Sequence, residues 1–399
     1  MRDLKHLIFF ENLLQEANNE LVKKACSEGK RALAYNCSHV PEVLLDVDGC
    51  FGVRLRAPHC ISPDLATYYM TNRSCPYSKS ILERGFEGGY NFIDALMGQE
   101  CCATMNRMEQ YFDYCKLIPK EDFLITYMDV PLKKTDWHVG YYQRQIETKI
   151  VKPLEEHFGI DMSDEKIMEA IEQHNEVCRI ISEIGDMRKL ENPPITGYEF
   201  HVIQLVTLVC PKYLILPYLR ETLEELRTRK PEPAPWYRAR VMLVGSEIDD
   251  PEFTKLLEGC GAFVVADRYC FGSLPGRQEI KVKEGERPLE AIARQYLSEN
   301  QCPRAMGEEN IVGRKQYLYD LAREYKADGI ILESMKFCEY WGYERAQISH
   351  WMLEGFDLPG TIPTCQIERD YASSGTGQLR TRFQAFVESL EIKRIQANK

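Results

Sequence analysis

Fifteen cysteines stand in this chain of 399 residues, and the chemistry open to it depends on their addresses. Four follow short apolar runs that read as strands: Cys37 after Ala32–Asn36, Cys102 after Phe92–Met97 and a short loop, Cys270 after Ala262–Ala266, and Cys338 after Gly329–Leu332. Two more sit in polar loops ahead of helical patterns, as Ser74-Cys75-Pro76 and Gln301-Cys302-Pro303. Thiolates so placed are soft metal ligands or redox nucleophiles. No Cys-x-x-Cys pair occurs, so the zinc-ribbon, thioredoxin and ferredoxin spacings are absent. Single cysteines from separate strand ends suit a cluster wedged between two lobes, with thiolate softness selecting iron–sulfur. Cys26, Cys178 and Cys210 lie within helical patterns, while Cys50, Cys60, Cys115, Cys260 and Cys365 read as packing. Cys101 is ambiguous, because adjacent cysteines point in different directions.

Three other polar residues flank these cysteines. His39, Glu42 and Glu339 are the candidate catalytic groups, as proton donors or as hydrogen-bond partners of cluster sulfur, with a structural role ranked first for His39. Ser373 to Gly377 precedes a helix and offers amides to an anion such as a CoA phosphate, an ordinary glycine-rich cap being an equal reading. Arg380 and Arg382 read as capping or ion-pairing groups.

The elements that must position these residues alternate. After an amphipathic helical opening (1–28), strand and helix patterns follow one another through 29–140, as expected of a parallel sheet. Long helical periodicity then takes over, and Lys230-Pro-Glu-Pro-Ala-Pro-Trp236 closes it as an extended linker, so 141–235 is read as a helical insert and linker. A second alternating unit fills 236–399. The fold expected is α/β, with two Rossmann-like (doubly wound, flavodoxin-like) domains joined by a helical segment and a crevice between them.

Composition excludes several classes. A formal charge of −11 without a local Lys/Arg-rich run argues against nucleic-acid binding. No stretch approaches the ~18 apolar residues of a membrane span, and the first apolar run is too short for a signal peptide. A cytoplasmic location and a reducing environment are expected, in which fifteen cysteines do not form a disulfide framework. Neither a Walker A loop nor Gly-x-Gly-x-x-Gly occurs, so no nucleotide is expected on this chain.

At YNCSHVPEVLL, RSCPYSKSILERG, CCATMNRM, VVADRYCFGS, PLEAIARQYL, ADGIILESMKFCE and IPTCQIERDYASSGTGQLRTRFQAFVESL the chain resembles the 2-hydroxyacyl-CoA dehydratase and benzoyl-CoA reductase superfamily. The resemblance implies an iron–sulfur centre between two α/β domains and a partner, an ATP-hydrolysing 4Fe-4S activator that delivers electrons. Cys75, Cys102 and Cys338 match the ligands of an ordinary dehydratase subunit. Cys37, Cys270 and Cys302 match the further ligands of the double-cubane cluster branch, whose homodimers carry an 8Fe-9S centre. That branch implies an oxidoreductase of anaerobic metabolism, reducing small molecules that resist reduction. Its rivals are a 4Fe-4S dehydratase subunit working through a ketyl radical and a non-catalytic electron carrier. The chain departs from the pattern at Ala103, where an aspartate is usual, and the doubled Cys101-Cys102 leaves the register open by one residue.

Overall fold

The computed structural model describes residues 3–100, 102–274, 277–355, 358–371 and 376–397. Eight strands form two four-stranded sheets. The first contains β1 (Arg31–Tyr35), β2 (Cys50–Arg54), β3 (Ala95–Gln99) and β4 (Leu124–Met128), in the order β2-β1-β3-β4. The second contains β5 (Ala239–Gly245), β6 (Ala262–Tyr269), β7 (Gly329–Met335) and β8 (Thr364–Arg369), in the order β6-β5-β7-β8. Every pairing is parallel. Most strand residues are buried on both faces, which explains why the runs read as continuously apolar rather than alternating.

In each sheet the chain starts centrally, steps to one edge and then crosses back. The two topological switch points therefore lie between β1 and β3 and between β5 and β7, where parallel sheets offer their carboxyl ends to a ligand. Those ends face each other. Arg56, just past β2, donates to the Asp249 carbonyl at 2.6 Å, and Tyr371, just past β8, joins Asp249 Oδ2 at 2.5 Å while its hydroxyl accepts from the Ala57 amide at 3.0 Å. These bonds tie the loops of one sheet to those of the other.

Helix Gly197–Val209 is the strut between them. Its sequence is apolar all round, and it contacts both β2 and β6, so it is buried on every face as such a pattern requires. A capping box starts it: Thr196 Oγ1 accepts from the Glu199 amide at 3.0 Å, and Glu199 accepts from the Thr196 amide at 2.9 Å.

Several elements differ from the sequence expectation. From Asp136 the helices run in series: Asp136–Ile146 passes through a π segment at Glu147–Val151 into Lys152–Phe158, and Gly159 ends it at φ +66° before Asp164–Asp186 begins. Left-handed geometry there requires glycine. The segment between β1 and β2, whose proline at 41 suits the start of an α-helix, forms only a short 3-10 turn, Glu42–Asp46. The strand expected at Phe92–Met97 is displaced to Ala95–Gln99. The anion cradle at 373–377 lies mostly outside the described residues. Among those described, no helix is long and apolar enough to cross a membrane.

His201, inside the strut, generates a test. Its Nδ1 lies 2.8 Å from Thr254 Oγ1 and its Nε2 3.2 Å from the Ile248 carbonyl, which suits the neutral ring, and burial lowers its pKa from 6.5 to about 3. Below pH 6.5 the unfolded chain takes up a proton that the folded chain refuses, so stability falls as pH drops from 6.5 towards 3. Between pH 6.5 and about 5 this one residue costs about 2 kcal/mol. Urea denaturation at both pH values checks it: His201→Gln lowers stability at neutral pH by about 1 kcal/mol but flattens the acid loss.

Candidate metal centre

Cys37 follows the end of β1 by two residues and Cys102 the end of β3 by three. Both thus occupy the switch point of the first sheet. Cys270 directly follows β6, and Cys338 follows β7 by three residues. Three of the sites are also helix starts: Cys75 precedes Pro76–Phe86, Cys102 precedes Ala103–Tyr114, and Cys338 precedes Glu339–Glu354. Sulfur at a helix N-cap meets free amides and the positive end of the helix dipole. None of the three sulfurs makes a cap hydrogen bond to its helix, but the Ser78 and Tyr77 amides favour the thiolate of Cys75 and the Trp341 amide that of Cys338.

The six sulfurs fall into two groups by their electrostatic coupling. Cys75, Cys102 and Cys338 feel one another, and Cys37, Cys270 and Cys302 form the second set. Burial pushes the Cys75 thiol up to about 12, opposed by the Ser78 amide and helped by Cys102. Burial also pushes Cys302 up to about 12, with Cys37 adding to it. Cys270 and Cys338 rise well above the ordinary thiol range, chiefly through burial. Crowded thiols of this kind shed protons only when cationic charge is supplied among them, as metal ions supply it. Among the described residues no three Cys, His, Asp or Glu side chains converge tightly enough for a single ion. Two looser sulfur triads are the donor set that a multi-iron cluster takes. On that chemistry the residues fit an iron–sulfur group.

Groups that the sequence did not single out complete the site. Trp341 donates its indole N–H to Cys270 Sγ at 3.3 Å, and its backbone amide favours the thiolate of Cys338. Arg54 donates to the Cys270 carbonyl at 2.6 Å and pairs with Glu247 at 3.5 Å. Glu247 couples to Cys37, Cys270, Cys75 and Cys338, and burial, opposed by Arg54, raises its pKa to about 8. The signal for it was positional: Glu247 follows β5 by two residues, as Cys37 follows β1. Beneath the Cys37 and Cys102 loops, Gln99 donates to Asn36 at 2.8 Å, and Asn36 donates to Glu109 at 2.6 Å.

The three candidate catalytic residues are placed differently. His39 is buried with its Nδ1 4.0 Å from Cys37 Sγ, beside the second triad. Glu42 turns into an ion-pair network, bonded by Tyr296 at 2.5 Å and lying 3.9 Å from Lys212 and 3.5 Å from His174. Burial raises its pKa, but Lys212 and His174 outweigh that and hold it below the ordinary value. Glu339 opens its helix as an exposed residue. Arg382 donates to the Gln366 carbonyl at 2.8 Å, tying the last helix to β8. Cys101 is outside the described residues.

A protein with two like-ordered parallel sheets and cysteines converging from their carboxyl ends is the class that this geometry defines. A family model described as 2-hydroxyglutaryl-CoA dehydratase, D-component, matches residues 37–390, and the chain belongs to that family. It is 25% identical to the (R)-phenyllactyl-CoA dehydratase beta subunit of Clostridium sporogenes, over 96% of this chain and 97% of that one. It is 23% identical to the putative dehydratase subunit YjiM of Escherichia coli, over 89% and 90%. A benzoyl-CoA reductase subunit of Thauera aromatica is 21% identical over 80% of each chain.

Two strand glycines, Gly98 in β3 and Gly245 at the end of β5, leave room for buried carboxylates, and their substitution tests the scaffold. A Cβ on Gly98 would stand 2.7 Å from Glu109 Oε2, and one on Gly245 would stand 2.5 Å from Glu333 Oε2, which accepts from the Ser246 amide. Gly98→Ala and Gly245→Ala should each cost about 1–3 kcal/mol in urea denaturation. Gly313→Ala, at an open position within helix Glu308–Glu324, should instead stabilise by about 1 kcal/mol.

Proposed function

We propose that this chain is an iron–sulfur reductase whose six cysteines, Cys37, Cys75, Cys102, Cys270, Cys302 and Cys338, hold an 8Fe-9S double-cubane cluster. The observation that carries the reading is the sorting of these sulfurs into two coupled triads, one for each cubane. A cluster of this kind supplies low-potential electrons one at a time. The protein's part is to desolvate the thiolates, to donate N–H groups to sulfur from Ser78, Tyr77, Trp341 and Arg304, and to hold a protonatable carboxyl, Glu247, between the triads. Small molecules that resist reduction are the substrate class. The chain carries no nucleotide-binding loop, so the energy for reduction enters through a separate ATP-hydrolysing 4Fe-4S activator protein, and the working unit is a homodimer in the cytoplasm.

A second reading, a 2-hydroxyacyl-CoA dehydratase subunit with one 4Fe-4S cluster on Cys75, Cys102 and Cys338, is favoured by the names of the relatives. Iron and sulfide counting on anaerobically purified protein separates the two. About eight irons per chain are expected for the double cubane and about four for the dehydratase. Cys37→Ser and Cys302→Ser should lower the iron content on the first reading and leave it unchanged on the second. With activator, ATP and a strong reductant, the protein should reduce acetylene, and Cys338→Ser should abolish that turnover. Dehydration of an acyl-CoA without reduction of acetylene would overturn the reductase reading.

A further inference from the structure

The two sulfur triads lie in unlike electrostatic surroundings. Buried cations gather at Cys37, Cys270 and Cys302. Arg268, fully buried on β6, donates to the Gln301 carbonyl and to Glu344 at 3.1 Å, and its guanidinium lies over Trp341 at 5.4 Å. Its Nε and Nη1 have no hydrogen-bond partner among the described residues, and neither has Nε of Arg54. Arg304 reaches Cys302 through its backbone amide and the Glu100 carbonyl through Nη2 at 2.7 Å. Lys134 lies against the Ser298 carbonyl at 3.0 Å, close enough to Cys302 to be coupled to it. Three carboxylates answer these charges: Glu344, shared by Arg268 and Arg314, Glu247, paired with Arg54, and Glu299, which faces Lys134. Cationic charge is left in excess.

Cys75, Cys102 and Cys338 are served otherwise. Cys75 and Cys338 are coupled to each other, to Cys102 and to Glu247, Cys102 is coupled also to Glu109, and helix amides favour the thiolates of Cys75 and Cys338. The basic residues nearest to each in sequence, Arg73, Arg107 and Lys336, are exposed. A charge in solvent is screened, whereas a buried one acts at low dielectric. Added electrons therefore have a preferred place, since positive charge and N–H donors near sulfur raise the reduction potential of a cluster.

We propose that Arg268, Arg304 and Lys134 make the Cys37/Cys270/Cys302 half of the centre its electron-storing end, leaving the Cys75/Cys102/Cys338 half the stronger reductant. This rests on the double-cubane reading. Each step takes up one electron from an external one-electron donor, with no bond made or broken in the protein. Arg268, Arg304 and Lys134 are positioning residues.

The test is a potentiometric titration with titanium(III) citrate, oxidised to titanium(IV), followed by EPR on the iron-loaded full-length protein. Wild type should show two separate one-electron steps. Lys134→Gln and Arg268→Gln should each weaken the upper reduction equilibrium about tenfold, ~59 mV lower for one electron, and move the lower step much less. Cys302→Ser should alter the signal of the upper step, and Arg107→Gln should shift neither. If Arg268→Gln does not fold, Lys134→Gln and Arg304→Gln carry the test. About eight irons per chain with an unmoved upper step, or with both steps moved equally, overturns the charge assignment alone. About four irons in wild type overturns the double-cubane reading and this inference with it.

Discussion

Sulfur buried beside sulfur is the constraint on which this structure turns. A thiol in a low-dielectric crevice keeps its proton, and each further thiol placed next to it makes ionisation harder. The chain nevertheless brings cysteines from both sheets into one region, faces helix amides at them, and surrounds half of them with buried guanidinium groups. Such an assembly is costly as a set of neutral thiols, because Nε of Arg54 and Nε and Nη1 of Arg268 then have no acceptor among the described residues. Ionised and bridged by cations, the sulfurs become acceptors for every one of those donors.

The same logic governs the scaffold around the site. Arg188 and Asp267 are both buried and lie 2.9 Å apart, while Arg268, Glu344 and Arg314 form a closed buried group beside them. Buried pairs add little net stability over apolar packing, but removing one partner leaves a charge stranded. Their effect is therefore on geometry. They fix β6 and the helices packed on it so that the loops carrying Cys270 and Cys302 have one place to be.

Much of the fold was legible because buried parallel strands are apolar and helices carry caps. Helix Pro251–Glu258 starts after Asp250, whose side chain accepts from the Glu252 amide, and stops at Gly259, both signals being written in the sequence. The strand ends were harder, for a physical reason. β6 continues through Asp267, Arg268 and Tyr269, and β7 through Glu333, Ser334 and Met335, past the points where their apolar runs stop. Hydropathy fails there because the last residues of each strand approach the site and trade apolar packing for buried ion pairs such as Glu333 with Arg369 at 2.9 Å. Local pattern and local function diverge at the same residues. Cysteine type and spacing pointed to the donor set. The arginines, Glu109, Glu247 and Trp341 did not stand out, since a buried charge looks like a surface charge until its partners are known.

How the triads are assembled says more than their membership. The first half of the chain brings Cys37, Cys75 and Cys102, and the second brings Cys270, Cys302 and Cys338. Neither triad is built from one half. Cys338 crosses to join Cys75 and Cys102, and Cys37 crosses to join Cys270 and Cys302. One asymmetry is visible in the shared strand order: where β1 is followed by Cys37, β5 is followed by Glu247, so at its switch point the second sheet offers the single sulfur of Cys338 where the first offers those of Cys37 and Cys102. Each sheet alone therefore presents an incomplete donor set, and only their docking through Arg56, Asp249, Tyr371 and the buried strut completes both. On the iron–sulfur reading, metal affinity and lobe docking share one free energy, because whatever holds the two sheets together also builds the site.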